Sequence, residues 1–351
     1  MRRVSFKVAG RVAALVVTLV AIDLAARPFV SLPHKSTLFV RDPELGWRLR
    51  PSAQDLWDDV PVQVNAKGLR GPEVDYARRP GAARIVYLGD SVTVGYGLPS
   101  HAVSYPYVTA ERLQRMGGRT IETVNGAVNG YSTWQEVRWF EREGIRYQPD
   151  LVVLGFVLND VAGELEALRG WRRPASKQLL LSASSGIDRI ANHSALVALA
   201  RQAALAVRFG RDVRGGAERE ELFGVRMLVE HPERADVQEA WAATRGDLDR
   251  LATLCRRRQI PLCLVVFPYT FQFGLADGAD DPQRRLLEFA RQLGIPALDL
   301  LPVLRARAKV DGLTAADYFR DDDHPSLLGS LVVADRLADF IVEEHLLPDS
   351  P

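Results

Sequence analysis

The chain is short of the residues that staple small folds or bind soft metals. Only two cysteines, Cys255 and Cys263, occur in 351 residues. Two are too few for a disulfide framework, and no C-x-x-C spacing points to zinc or thiol redox work. Cys255 falls in a helical pattern and Cys263 in the strand that follows, so both read as small buried apolar residues. A disulfide between them is open only in an oxidising compartment. An excess of charge of one sign is also lacking. With 45 basic and 44 acidic residues the formal net charge is +1. No basic run occurs beyond the N-terminus, so there is no electrostatic case for nucleic acid as a partner. Internal repeats and low-complexity tracts are absent too. The length suits one large domain or two modest ones, and the apolar and charged fractions are ordinary for a globular protein.

What is present begins with an address. Arg2, Arg3, Lys7 and Arg11 precede an apolar run from Val12 to Ile22, which Asp23 interrupts and which resumes to Ala26. Val8 to Val30 approaches the ~20 residues needed to cross a bilayer. Arg11, Asp23 and Arg27 lie toward the ends, where side chains reach headgroups. A cleaved signal peptide is a rival, but the best small-x-small site has Leu24 at its third position and Pro28 just beyond. A buried or interfacial helix is another. The expectation is an uncleaved transmembrane anchor over residues 1–30. Its basic flank places the N-terminus inside and the catalytic part outside the cytoplasmic membrane, in the periplasm of a Gram-negative cell.

Residues 31–82 are rich in Pro, Gly and Asp. Asp42-Pro-Glu-Leu-Gly-Trp47 and Val64-Asn-Ala-Lys-Gly-Leu-Arg70 read as turns between short strands, in an appendage packed on the main domain. From residue 83 to about 346 the pattern changes. Apolar runs at Arg84–Gly89, Ile121–Val124, Asp150–Gly155, Pro261–Phe267 and Pro296–Leu300 read as strands. Helical stretches lie between them, at Tyr105–Met116, Thr133–Glu143, a segment ending at Arg258, and Asp281–Leu293, and a last helix starts near Pro325. Such alternation predicts an α/β fold with a parallel sheet covered on both faces, and ligands in such sheets bind at the carboxyl ends of the strands. Residues 161–235 break the alternation and read as an inserted helical subdomain beside the site.

The strand ends carry the chemistry. Gly89-Asp90-Ser91 directly follows the first strand, which sets a hydroxyl and nearby backbone N–H groups at the sheet edge. Ser91 equally suits a helix cap. The second strand leads into Asn125-Gly-Ala-Val-Asn-Gly130-Tyr-Ser-Thr133, where a glycine lets its N–H approach a ligand. The third leads to Asn159-Asp160, and the Asn159 carboxamide is a donor for an oxyanion. Near the C-terminus stands Asp321-Asp-Asp-His324-Pro325. A histidine three residues after an aspartate can take a serine proton while the carboxylate holds its other nitrogen. Asp322 and Asp323 remain alternatives for that carboxylate. A bland reading is a solvated acidic turn ahead of a helix started by Pro325. A metal at this cluster is disfavoured by its single histidine. His34, His101, His193, His231 and His345 have no partner pattern, although His101 lies shortly after Ser91. Trp134 and Trp171 read as packing residues, with sugar stacking as the alternative.

Taken in order, these four blocks resemble the SGNH/GDSL hydrolase family over roughly residues 83–160 and 236–345. The resemblance implies a flavodoxin-like three-layer α/β/α fold with no cofactor and no metal. It further implies Ser91 as nucleophile, His324 as base and Asp321 as its orienting acid, with an oxyanion hole from the Ser91 and Gly130 N–H groups and the Asn159 side chain. The chain departs from the common pattern in having three residues between Gly155 and Asn159 instead of one, and in Ala127 where many members have glycine. With the anchor, the D-P-E-L-G-W segment and the N-x-x-G-L-R-G segment, it looks like an anchored bacterial branch. The implied activity is hydrolysis of O-acyl, including O-acetyl, esters on a small molecule or glycan. The alternatives are an O-acyltransferase on an envelope or exopolysaccharide glycan, and a non-catalytic binding protein on the same fold. Nothing in the sequence indicates an oligomeric state.

Overall fold

The computed structural model describes residues 2–27, 37–57, 60–168, 194–197, 199–200, 224–274 and 281–348. Two units emerge, Met1–Ser36 with Ser182–Glu220, and Thr37–Leu181 with Glu221–Pro351. In the first, helix α1 spans Arg2–Ala26. The helix expected here is present, but the expected transmembrane span is not found. Among the described residues no helix is long and apolar enough to cross a membrane. Arg11 and Asp23 break the apolar stretch. Asp23, read from sequence as reaching headgroups, instead accepts hydrogen bonds from the Ser194 hydroxyl at 2.6 Å and the Leu196 N–H at 3.0 Å. Most of the insert expected over residues 161–235, including Trp171 and His193, lies outside the described residues, as does His34.

The second unit opens with two antiparallel hairpins, β1 (Phe39–Asp42) with β2 (Gly46–Leu49), and β3 (Gln54–Trp57) with β4 (Val60–Gln63). The Asp42-to-Trp47 segment is the turn of the first, as its composition predicts. Asp42 accepts the N–H groups of Glu44 and Leu45, each at 3.0 Å, and pairs with Arg142 at 2.8 Å.

A five-stranded sheet follows, from β5 (Ala83–Gly89), β6 (Ile121–Asn125), β7 (Leu151–Val157), β8 (Leu262–Phe267) and β9 (Ala297–Asp299). All neighbours are parallel and the order is β6-β5-β7-β8-β9. This is the flavodoxin-like order, whose switch point lies beside its first strand, here β5. Every residue of β5, β7 and β8 is buried. Continuous apolar runs of this kind are what a parallel sheet covered on both faces requires.

Between the strands come α2 (Ser91–Val94), α3 (Tyr105–Gly117), α4 (Thr133–Arg142), α5 (Asn159–Leu168), α6 (Ala235–Arg257) and α7 (Asp281–Leu293), and after β9 come α8 (Leu300–Asp311), α9 (Ala315–Tyr318) and α10 (Leu327–Glu343). Helix α3 packs on α10, and α6 packs on α4 and α5. The cap expected at α4 is there, with Gln135 Oε1 accepting the Ser132 N–H at 3.1 Å. Cys255 and Cys263 are both free and buried, as their apolar neighbours suggest.

Two elements differ from the pattern. Strand β7 does not stop at Gly155, because Phe156 and Val157 pair with Val266 and Phe267 of β8. A glycine weakens a strand, but here the tertiary partner decides. Helix α8, which the apolar run at Pro296–Leu300 did not reveal, starts where the Asp299 carboxylate accepts the Leu301 N–H at 3.0 Å.

Leu154 in β7 is 1% exposed. Leu154→Ala is expected to destabilise the chain by about 2–5 kcal/mol, measured as a lower urea midpoint at unchanged slope.

Candidate active site

Strand β5 delivers Ser91 to the sheet edge. Gly89 has φ +151°, and a Cβ there would lie 2.1 Å from Thr93 Oγ1, so only glycine makes this exit. Asp90 then caps α2, its Oδ1 accepting the Val92 N–H at 2.9 Å. Ser91 is therefore the first residue of the helix, where backbone N–H groups lack intrahelical acceptors. The turn is tied to the next loop by Asn125, whose Nδ2 donates to the Thr93 carbonyl at 2.8 Å.

The Asp321–His324 segment is a turn built around one carboxylate. Asp321 Oδ1 accepts the His324 backbone N–H at 2.9 Å and meets His324 Nδ1 at 2.8 Å. On the far side of the ring, His324 Nε2 lies 2.9 Å from Ser91 Oγ. Asp323 Oδ1 also stands 3.1 Å from Nδ1. The side chain of Asp323 is 8% exposed and that of Asp321 43%, so the more buried carboxylate is the one sequence left as an alternative. The three groups Asp321, Asp323 and His324 lie close enough to hold a metal ion. Their geometry already engages the ring nitrogen with both acids, which is an orienting role that requires no ion.

Asn159 opens α5, two residues past β7. The longer spacing from Gly155 is taken up by the extra paired residues of that strand, and the side chain still reaches the site. Its Nδ2 donates to Asp90 Oδ2 at 2.8 Å, an atom that also lies 3.4 Å from Ser91 Oγ. The contact with Asp90 is one that sequence reasoning missed. Gly130, at φ +73°, lies in the loop between β6 and α4. That loop is held by the first hairpin: Trp47 Nε1 donates to the Asn129 carbonyl at 3.0 Å, and the Tyr131 hydroxyl donates to the Trp47 carbonyl at 2.6 Å. His101 packs on Tyr107, at 4.9 Å between ring centres. Trp134 is half-buried.

Carboxylates crowd the site. Burial, and after it the Asp323 charge, pushes Asp90 up to about 6. Behind it, burial raises both Glu136 and Asp160 well above the ordinary carboxylate range, each reinforced by neighbouring acids. Neither oxygen of Glu136 has a hydrogen-bond partner among the described residues. An acid so placed is held protonated. Glutamate in an amphipathic helix gave no signal for this. For His324, burial by itself disfavours the charged ring, but Asp323 and Asp321 outweigh it and hold the imidazolium well above its usual 6.5.

This arrangement can move a proton from a hydroxyl to an imidazole held by carboxylates. Residues 87–331 match the model of the GDSL-like Lipase/Acylhydrolase family. That is more than half of the chain, and the protein belongs to this family of serine hydrolases. No curated protein matches the chain. Among solved structures it is similar to a two-domain esterase active on acetylated mannans, co-crystallised with mannopentaose. The identity is 15% and the TM-score 0.46, over 77% of this chain and 52% of that one. It is also similar to a variant of an acetyl-xylooligosaccharide esterase from Geobacillus Stearmophilus, at 15% identity and TM-score 0.45, over 74% of this chain and 94% of that one. A third is TesA, at 14% identity and TM-score 0.44, over 75% and 99%.

A ring that must be neutral to accept a proton becomes competent only as pH rises through its raised pKa. The acid limb of kcat/KM is therefore expected above pH 6.5, and Asp323→Asn should move it down by about one pH unit. Stability runs the opposite way. The stability drawn from the His324 ion pairs is complete below the unfolded value and lost as pH rises through the folded one. A pH–rate profile of both proteins checks this, and an unmoved limb would remove Asp323 from the site's electrostatics.

Proposed function

We propose that the chain hydrolyses O-acyl esters, O-acetyl groups on glycans among them, through an acyl-serine intermediate. The observation that carries this reading is the 2.9 Å contact of Ser91 Oγ with His324 Nε2, on a ring whose Nδ1 meets Asp321 at 2.8 Å. With Nδ1 protonated toward the carboxylates, the Nε2 lone pair faces the hydroxyl. As Ser91 Oγ attacks the ester carbonyl, its proton passes to Nε2, and the imidazolium formed is stabilised by Asp321 and Asp323. The carbonyl oxygen gains negative charge. The Ser91 and Gly130 N–H groups and the Asn159 carboxamide are assigned to receive it. That carboxamide carries two hydrogens. The bond of one to Asp90 fixes its orientation. His324 then protonates the leaving alcohol, and water, deprotonated by the same ring, releases the acid and restores Ser91.

Transfer to a glycan hydroxyl would use the same groups, with the acceptor in the place of water. An extracytoplasmic location belongs to this proposal and rests on the basic residues that precede the apolar stretch of residues 1–30.

Ser91→Ala is expected to lower turnover of p-nitrophenyl acetate by about 10⁴-fold or more while circular dichroism stays unchanged. A fluorophosphonate probe should label Ser91 in the parent chain only. Turnover that survives the substitution would remove Ser91 as nucleophile. Product analysis with acetylated oligosaccharides separates release of free acetate from transfer to a second glycan.

A further inference from the structure

The N-x-x-G-L-R-G segment, Asn65 to Gly71, takes no part in the chemistry above, yet its Arg70 reaches the stretch that follows the nucleophile. Asn65 closes it as a tight loop, its Oδ1 accepting the N–H groups of Lys67 at 2.9 Å and Leu69 at 3.0 Å. Leu69 goes into the core, and Arg70 reaches the C-terminal end of α2. Arg70 is 2% exposed. Its guanidinium donates to three carbonyls: Val94 at 3.2 Å, Gly95, and Leu98 at 2.7 Å. Among the described residues no carboxylate forms an ion pair with it. Desolvation, the largest influence on the group, lowers its pKa to about 10.

Those three carbonyls are not arbitrary. A four-residue helix closes few of its own hydrogen bonds, and its last carbonyls lack intrahelical donors. Gly95 ends α2 in the left-handed region, and the next residue, Tyr96, returns its N–H to the Ser91 carbonyl at 2.9 Å. A Cβ on Gly95 would lie 3.3 Å from Arg70 Nη1, so the glycine also makes room for the guanidinium. The Tyr96 ring packs on His324 at 4.6 Å between ring centres. Arg70 thus holds the segment whose one end is the Ser91 turn and whose other part is the ring against the base. A planar fork of donors can bridge three carbonyls at fixed angles, which a lysine ammonium cannot. A buried arginine with no acid partner is costly to keep for stability alone.

We propose that Arg70 is a positioning residue for the hydrolase reaction, setting the distance between Ser91 Oγ and His324 Nε2 through the carbonyls of Val94, Gly95 and Leu98. The proposal rests on the reading of Ser91 as nucleophile. In the full chain, Arg70→Ala is expected to lower kcat for p-nitrophenyl acetate about 100-fold with KM nearly unchanged. Fluorophosphonate labelling of Ser91 should slow in step. Methylguanidinium at millimolar concentration should return a large part of the lost kcat by refilling the vacated site, whereas methylammonium or sodium chloride at matched ionic strength should not. Arg70→Lys covers the case in which the alanine variant does not fold. It keeps the charge but not the fork, and should fold with a reduced kcat. Wild-type kcat and labelling in either folded variant would overturn the proposal. So would a loss that follows the unfolded fraction by circular dichroism and ignores methylguanidinium. Failure of the parent chain to turn over the ester or to label at Ser91 would instead defeat the hydrolase reading itself.

Discussion

The contact between Ser91 Oγ and His324 Nε2 joins residues 233 positions apart in the chain, and it depends on the sheet. Burial of β5, β7 and β8 on both faces fixes them as the covered centre of the sheet. Gly89 opposite Gly155, and Gly155 opposite Val265, bring the strand exits to one edge. The Asp321–His324 turn precedes helix α10, which packs alongside α3. The turn is fixed in its own right by the Thr270 N–H on the Asp322 carbonyl at 2.7 Å and the Arg320 N–H on the His324 carbonyl at 2.9 Å. A short hydrogen bond between distant residues is therefore the end product of ordinary apolar packing.

Around that contact the electrostatics are unusual for their excess of acid. Two carboxylates face one ring nitrogen, and Asp90, Asp160 and Glu136 lie buried nearby. Like charges in a desolvated space cannot all ionise. The neutral forms of Glu136 and Asp160 relieve the crowding. They leave Asp321 and Asp323 to stabilise the imidazolium that forms during turnover. The charge of Asp323 raises His324, and at Asp90 it adds to the larger effect of burial.

The hairpins of residues 37–63 and the loop that follows act as a brace on two of the loops at the strand ends. Trp47 and Tyr131 hold the backbone on either side of Gly130, and Arg70 holds the turn after Ser91. Trp57 packs on Tyr96 at 5.1 Å between ring centres, so the second hairpin also backs the ring that lies on His324. Precise placement of reacting groups comes from such supporting contacts as much as from the groups themselves.

The fold class was legible in the sequence because a strand buried on both faces must be continuously apolar, and β5, β7 and β8 are. The strand exits and short turns that carry Ser91, Gly130, Asn159 and His324 were legible, because local chain geometry there is written in Gly, Asp, Asn and Pro. The end of β7 and the hydrogen bonds of Asp23 were not, since each turns on a partner distant in sequence: β8, and Ser194 with Leu196. The two motifs ahead of Gly89-Asp90-Ser91 could be seen as turns but not as braces, because nothing local says that Trp47 reaches Asn129 or that Arg70 reaches Val94. By itself the sequence determined which groups are available to react and near which strand ends they stand. Tertiary structure alone decided that Asp323 shares the His324 ring with Asp321, that Asn159 is held by Asp90, and that Glu136 is buried with no hydrogen-bond partner among the described residues. Distance, desolvation and the sum of nearby charges are properties of the packed chain, and no local pattern of residues encodes them.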